Sequence, residues 1–196
     1  MNKILAAREK LCAHIEDFSK CGWHERSDTN FERYCIAKDT IQDTAEGLMA
    51  HREQGFVNDV YRRYIEYYGV LQAVYMQQDA IKTLFKLFMT PEQIDFAILP
   101  NWQGLRNLRN DTVGHPVGCL KRLNRNGISY GNVNYLWSPG TDMSAWVSKD
   151  VNLAALLDAY DSEAAGVLDA IFCRLEEECA LKHNQQKNPT RAKCIR

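Results

Sequence analysis

The longest helical pattern in the chain lies at residues 56–88, which read FVNDVYRRYIEYYGVLQAVYMQQDAIKTLFKLF. Its apolar residues recur at intervals of three and four, as the buried stripe of an amphipathic helix requires. The stretch therefore predicts a long central helix, interrupted in its pattern only by Gly69. The members of the stripe are Val60, Tyr64, Tyr67, Tyr68, Leu71, Val74, Tyr75, Ile81, Phe85 and Phe88.

Two helical patterns precede this stretch. Residues 3–18 predict a short first helix, in which the apolar positions are again three and four apart. Residues 27–30, Ser-Asp-Thr-Asn, offer N-caps for a second helix, which we expect to end at Gly55. The N-terminal part of the chain is therefore predicted to be helical throughout.

Three further helix signals follow the central helix. Thr90-Pro91-Glu92-Gln93 is typical of a helix start, with a proline at the first helical position and an acid in the first turn. Residues 101–114 predict a helix that stops at Gly114, a suitable C-terminal glycine. A final long helix is predicted at residues 151–182.

A β-hairpin is predicted at residues 127–138, where apolar residues alternate on either side of Gly131-Asn132. The predicted fold is therefore mainly all-α: an antiparallel helical bundle with a small β-hairpin inserted before the last helix. We expect a single domain at residues 1–182 and a basic, disordered tail at residues 183–196.

Composition narrows the class of protein. The 196 residues carry a formal net charge of −1, so any polyanionic partner must use a local basic patch. The seven cysteines are odd in number and include no Cys-x-x-Cys pair, which argues against a disulfide framework or a zinc knuckle. No apolar run approaches the ~20 residues that span a bilayer, and no signal-peptide core follows Met1. We expect a reduced, cytoplasmic protein without a membrane segment.

The stretch RNDTVGHP at residues 109–116 carries the chemistry. Arg109 offers a rigid fork of donors that matches a phosphate, and His115 is able to gain or lose a proton near neutral pH. On an ideal helix Asp111 and His115, four residues apart, share a face, so Asp111 is a candidate to orient the imidazole. Arg109 points elsewhere, and convergence on one phosphate needs the break at Gly114 or a second protomer.

Positive charge is concentrated around this motif. Between residues 101 and 131 five basic residues stand against one acid, Asp111, in a chain of net charge −1. Two of the five belong to the motif helix, and the other three, which follow the motif, are candidate RNA-binding residues. The five are Arg106, Arg109, Lys121, Arg122 and Arg125.

The central helix carries polar and aromatic residues for each of which the sequence allows two roles. Gln78 lies in the apolar stripe beside Asp79, and buried polar groups need partners. Both residues are candidates to position Arg109 or Arg106, the alternative being an interhelical hydrogen bond without catalytic part. The helix tyrosines either stack on bases or belong to the core or a dimer contact. They are Tyr61, Tyr64, Tyr67, Tyr68 and Tyr75.

Arg109-Asn110 followed by His115, with five intervening positions, resembles the signature of the HEPN superfamily of all-α domains. The resemblance covers residues 56–116, because a long helix precedes the motif helix as its antiparallel partner. It implies metal-independent RNA cleavage by a homodimer, whose composite cleft is lined by arginine and histidine from both protomers. Arg109 would hold the scissile phosphate, His115 would move the proton, and Asn110 would position backbone or ribose.

Members of this superfamily act in phage defence or as toxins of toxin–antitoxin pairs, and some lack nuclease activity. An antitoxin or defence-system partner is therefore expected alongside the RNA substrate. Neither a metal nor another cofactor is expected, because the histidines are widely separated and no phosphate-cradling loop with a following lysine is present. The alternatives are a non-catalytic helical adaptor that dimerises and a nucleotide-binding module. At the residue level, His115 is alternatively a helix cap.

Overall fold

The structure, a computed structural model, describes residues 1–17, 28–114, 121–137 and 147–187. In these ranges it is mainly helical, with a small antiparallel sheet before the last helix, which confirms the predicted fold class. A 3₁₀ turn (Phe96–Ile98) precedes α4, and a π-helical turn (Asn110–Gly114) follows it. The main elements are α1 (Asn2–Glu16), α2 (Asp28–Gln54), α3 (Val60–Phe88), α4 (Pro100–Arg109), β1 (Lys121–Ile128), β2 (Val133–Trp137), β3 (Val147–Val151) and α5 (Leu153–Lys187).

Helix α5 is the element around which the others assemble. It packs against α1, α3 and α4, while α2 packs along α3. The buried side chains of these helices belong to one hydrophobic cluster, whose largest fully buried members are Trp102, Tyr34, Tyr67 and Tyr160. In the described ranges, no helix has the length and apolar content that crossing a membrane requires.

The predicted boundary at Gly55 is confirmed, and its geometry explains it. Gly55 has a φ of 73°, in the left-handed region that glycine adopts without steric penalty, and its N–H donates to the carbonyl of His51 at 2.8 Å. Helix α3 then starts at Val60, because the Asp59 carboxylate accepts a hydrogen bond from the Arg62 backbone at 2.8 Å. The central helix is therefore shorter at its start than the pattern from residue 56 predicts.

The helix start predicted at residues 90–93 is wrong. The Gln93 side chain accepts a hydrogen bond from the backbone N–H of Thr90 at 2.6 Å and closes a turn. The Asp95 carboxylate then caps the short 3₁₀ turn through the N–H of Ala97 at 2.8 Å. Pro100 then begins the next α-helix.

The hairpin is confirmed, and a third strand extends it. The turn at Gly131-Asn132 closes through the N–H of Ser129 and the carbonyl of Asn132 at 2.8 Å. Strand β3 pairs antiparallel with β2, from Val133 opposite Val151 to Trp137 opposite Val147. The sequence does not predict this strand, because its exposed centre at residues 148–150 is polar and shows no apolar alternation.

Helix α5 differs from its predicted bounds at both ends. It begins at Leu153, after the Asn152 side chain caps it through the N–H of Ala155 at 2.9 Å, and not at Val151, which ends β3. It continues to Lys187, so residues 183–187 of the predicted tail are helical. Residues 188–196 of that tail lie outside the described residues, as do residues 115–120.

The turn of the hairpin docks on the connection between α2 and α3. Tyr130 lies 2.8 Å from His51 Nδ1 through its hydroxyl, and its ring packs against Phe56 with centroids 4.9 Å apart. Its carbonyl accepts a hydrogen bond from the N–H of Ala154 at 2.8 Å. Burial raises the pKa of Tyr130 to about 12, although the Arg52 guanidinium opposes the shift, so the phenol is protonated at neutral pH. Tyr130 therefore anchors the sheet to the bundle.

The N-terminus of α4 is held by a carboxylate of α5. Glu163 accepts hydrogen bonds from the backbone N–H groups of Asn101 at 3.1 Å and Trp102 at 2.7 Å, and from the Asn101 side chain at 2.6 Å. These backbone donors have no partner inside the helix, and a negative charge is favourable at this end of the helix dipole. Glu163 therefore fixes where the motif helix begins.

We expect Glu163→Ala to lower the free energy of unfolding by about 1–2 kcal/mol, as the loss of a helix cap does. Glu176→Ala is the matched control, because Glu176 is exposed on the same helix. Urea unfolding at neutral pH, followed by circular dichroism, measures the difference. Equal stabilities of the two variants would contradict the capping role.

Candidate functional site

Helices α3 and α4 run antiparallel along a ladder of side-chain contacts. Arg109, at the end of α4, contacts Gln72 and Tyr75 of α3. One turn earlier, Arg106 contacts Tyr75 and Asp79, which lies one turn further along α3. Because Arg106 and Arg109 are three residues apart, both point from one face of α4 toward α3.

Arg106 is neutralised by this contact. Its Nη1 donates to Asp79 Oδ1 at 3.0 Å and to Gln78 Oε1 at 3.3 Å. Its side chain is 17% exposed, so the ion pair with Asp79 is partly shielded from water. The buried Gln78 amide also donates to the carbonyl of Trp102 at 3.0 Å. Gln78 and Asp79 thus contact Arg106 through interhelical hydrogen bonds, which both predicted alternatives allow, and they bind no atom of Arg109 in the described structure.

Arg109 has a different environment. Its Nη1 donates to Asn110 Oδ1 at 3.2 Å and its Nη2 to Gln72 Oε1 at 3.4 Å, both neutral amide oxygens. The buried Nε has no hydrogen-bond partner among the described residues. In the same part of the chain no carboxylate lies within ion-pair distance of Arg109. The guanidinium therefore keeps a full positive charge and unused donors.

Tyr75 joins the two arginines. The guanidinium carbon of Arg106 lies 4.3 Å from the centre of the Tyr75 ring, and that of Arg109 lies 4.6 Å from it. Both distances fall within the range in which an aromatic ring attracts a cation. We call Gln72, Tyr75, Gln78, Asp79, Arg106, Arg109 and Asn110 the arginine cluster.

The neighbourhood of the cluster is electropositive. Lys82 Nζ lies 5.3 Å from the centre of the Phe96 ring and 5.9 Å from that of Trp102. Burial lowers the pKa of Lys82, the positive charges of Arg106 and Lys86 lower it further, and the negative charge of Asp79 raises it. Basic residues therefore outnumber acidic ones around the cluster.

The motif helix ends in a π-helical turn, Asn110–Gly114, which corrects the predicted α-helix up to Gly114. Buried Thr112 anchors the turn, since its hydroxyl donates to the carbonyl of Leu108 at 2.7 Å and lies 3.4 Å from the Tyr67 hydroxyl. The spacing that put Asp111 on the face of His115 holds for an α-helix and does not carry across this wider turn. His115 itself lies outside the described residues.

The predicted RNA-binding residues follow the motif on a strand beside it. Lys121, Arg122 and Arg125 belong to β1, which contacts both α3 and the π-helical turn. The backbone of β1 thus lies beside the end of the motif helix. The structure does not describe the side chains of these three residues.

Sequence reasoning missed the roles of Gln72, Tyr75 and Glu163. The sequence predicts base stacking, or a core or dimer contact, for Tyr75, and the structure places it half-buried against two guanidinium groups. The available signal was the matched spacing of Gln72, Tyr75 and Asp79 with Arg109 and Arg106 on an antiparallel partner. Of the other helix tyrosines, Tyr67 is buried in the core.

A groove of about 660 Å³ lies between α2 and α3 and includes Asp79 and Met76 in its lining. Arg109 is not among the lining residues, so this groove is not the small-ligand pocket that the nucleotide-binding alternative expects beside it. In the described ranges no three His, Cys, Asp or Glu side chains cluster as metal ligands do.

Comparison of the chain with protein-family models, with curated proteins and with solved structures finds no match.

The charge balance of the arginine cluster predicts how it binds anions. We expect Asp79→Asn to tighten binding of a single-stranded DNA oligonucleotide, because it removes the carboxylate that offsets Arg106. Arg109→Ala should weaken binding and reduce the slope of log affinity against log salt by about 0.7, the value for one single-strand phosphate contact. Fluorescence anisotropy over a salt series measures both effects.

Two controls make the same changes of charge elsewhere. Asp43→Asn alters an exposed acid of α2, and Arg174→Ala removes an arginine of α5 that is paired with Glu177 and Glu178. Should the cluster variants change the affinity no more than these controls, the cluster is not an anion site.

Proposed function

We propose that the protein is a metal-independent endoribonuclease of HEPN type. The observation that carries this proposal is the environment of Arg109, whose charge is held in place by neutral groups and is not paired with an acid. A guanidinium in this condition suits a phosphate that gains negative charge in a transition state. His115 follows the same helix end within the Arg-Asn-x4-His pattern.

The proposed chemistry uses the three motif side chains. His115 takes the proton of the attacking 2′-hydroxyl, or gives one to the leaving 5′-oxygen, while Arg109 stabilises the charge on the phosphate. Attack by the adjacent 2′-oxygen breaks the P–O5′ bond and leaves a 2′,3′-cyclic phosphate and a 5′-hydroxyl. Asn110, which accepts a hydrogen bond from Arg109, positions the guanidinium or the ribose. No step of this route requires a metal ion.

The proposal includes a homodimer, in which Arg109 and His115 from both protomers line one cleft. It also includes a cytoplasmic setting, where RNA is available, and a role as a toxin or phage-defence component restrained by an antitoxin or another defence protein. These parts rest on the resemblance of residues 56–116 to the superfamily. The basic strand β1 beside the motif supports an RNA substrate.

The direct test is RNA degradation in the presence of a chelator. We expect the wild type to cut a long structured RNA into fragments with 2′,3′-cyclic phosphate ends. Arg109→Ala and His115→Ala should each reduce the rate by about 100-fold or more, because each removes a group that acts in the transition state. Arg174→Ala is the control for loss of an arginine outside the motif.

A substrate with a single 2′-hydroxyl, placed in an otherwise deoxy strand, locates the attack. Cutting at that position alone supports the mechanism. If purified wild type cuts no faster than the Arg109→Ala, His115→Ala double variant, the ribonuclease proposal fails.

The composite cleft requires two protomers in solution. We expect sedimentation equilibrium to give twice the chain mass of 22.5 kDa at the concentration used for cleavage. Mixing inactive Arg109→Ala and His115→Ala chains should restore part of the activity, because one cleft then receives each missing group from the other chain. An active monomer would rule out the composite cleft and leave the chemistry of a single motif.

A further inference from the structure

The two arginines of the cluster touch the same ring and differ in what else they touch. Arg106 has a carboxylate partner at 3.0 Å, and Arg109 has amide oxygens at 3.2 and 3.4 Å. The two amide hydrogen bonds of Arg109 are long and lie between partly exposed groups, so they hold its side chain weakly. The Tyr75 ring, 4.6 Å from the guanidinium carbon, is then the principal fixed surface for Arg109.

A ring positions a cation in a way that a carboxylate does not. An acid next to Arg109 would hold it but would also cancel its charge and compete with a phosphate for the same donors. The face of an aromatic ring attracts the guanidinium through its quadrupole and carries no net charge. The plane of the guanidinium can rest against the ring while its N–H edge remains available to an anion.

Asp79 neutralises Arg106 and, among the described residues, leaves the charge of Arg109 unpaired. Its carboxylate accepts a hydrogen bond from Arg106, and the described structure has no ion pair between Asp79 and Arg109. The Tyr75 ring therefore contacts two arginines: Arg106, which is neutralised, and Arg109, which keeps its charge.

We propose that Tyr75 is a positioning residue that holds Arg109 for phosphate without neutralising it, and that Gln72 must be uncharged for the same reason. The inference rests on the proposed ribonuclease function for its effect on rate. The placement of Arg109 against the ring is independent of that function. Tyr75→Phe keeps the ring, Tyr75→Leu removes it, and Gln72→Glu adds an acid beside Arg109.

The first measurement is NMR of arginine side chains in the full-length protein. We expect the Nε–Hε signal of Arg109, assigned by its loss in Arg109→Lys, to show a ring-current shift in the wild type. The shift should persist in Tyr75→Phe and in Gln72→Glu, and it should vanish in Tyr75→Leu. Because Nε is buried, its proton exchanges slowly enough with water to be followed.

The second measurement is steady-state RNA cleavage in chelator. Tyr75→Leu should lower kcat by about 10- to 100-fold, as a misplaced catalytic group does, with little change in KM. Tyr75→Phe should restore the wild-type rate. Gln72→Glu should lower the rate and also the affinity for an uncleavable 2′-deoxy oligonucleotide. Gln54→Glu, at an exposed position at the end of α2, is the control for the added charge.

The outcomes distinguish the positioning role of Tyr75 from the ribonuclease proposal. Loss of cleavage in Tyr75→Leu with rescue in Tyr75→Phe, together with the ring-current pattern, supports the inference. An unshifted Arg109 signal in the wild type, or a Tyr75→Leu variant with unchanged kcat, overturns it. If the wild type cuts no RNA, the ribonuclease proposal fails, and the ring-current shift with the oligonucleotide affinity of Gln72→Glu still decides whether Tyr75 holds a charged Arg109.

Discussion

The carboxylate of Glu163 at the N-terminus of α4 is the interaction on which the candidate site depends. Helix α4 has ten residues, and a helix of that length is marginal in water without external partners. Glu163 supplies those partners at one end, and the buried Trp102 side chain fixes the rotation of the helix. With its start and rotation set, α4 presents its last turn, which carries both arginines, to the middle of α3. Positive charge is also favourable at that end of the helix dipole.

The two arginines of the cluster differ in their charge: Arg106 is neutralised by an ion pair, and in the described part of the chain Arg109 is not. Arg106 is 17% exposed and pairs with Asp79, which offsets its charge. Arg109 lies closer to the end of the helix, where neighbouring amides and the Tyr75 ring hold it without an acid. Both arginines lie within one turn of the same helix, so the difference between them arises from which residue of α3 lies opposite each. Helix register along α3 therefore determines which arginine is available to an anion.

The sequence predicted the helices well and the side-chain partners poorly. The stripe at residues 56–88 and the helix boundary at Gly55 are local signals: the central helix lies within the predicted stretch, from Val60 to Phe88, and the preceding helix ends before Gly55. Strand β3 was missed because its polar residues, seen alone, show no strand pattern, and they pair only because β2 lies alongside. The partners of Arg109 were missed for a related reason. Which residue of α3 faces it depends on how far α4 slides along that helix, and Glu163, distant in sequence, sets that position.

The π-helical turn changes the basis of the dimer argument. On an ideal α-helix, the six-residue offset between Arg109 and His115 sends the two groups to different faces, and a second protomer is then needed to bring them together. The helix stops being α-helical at Arg109, and Thr112 anchors the wider turn to Leu108 and Tyr67. The angular offset calculated for an α-helix therefore does not apply across residues 110–114, so helix geometry by itself does not require the second protomer.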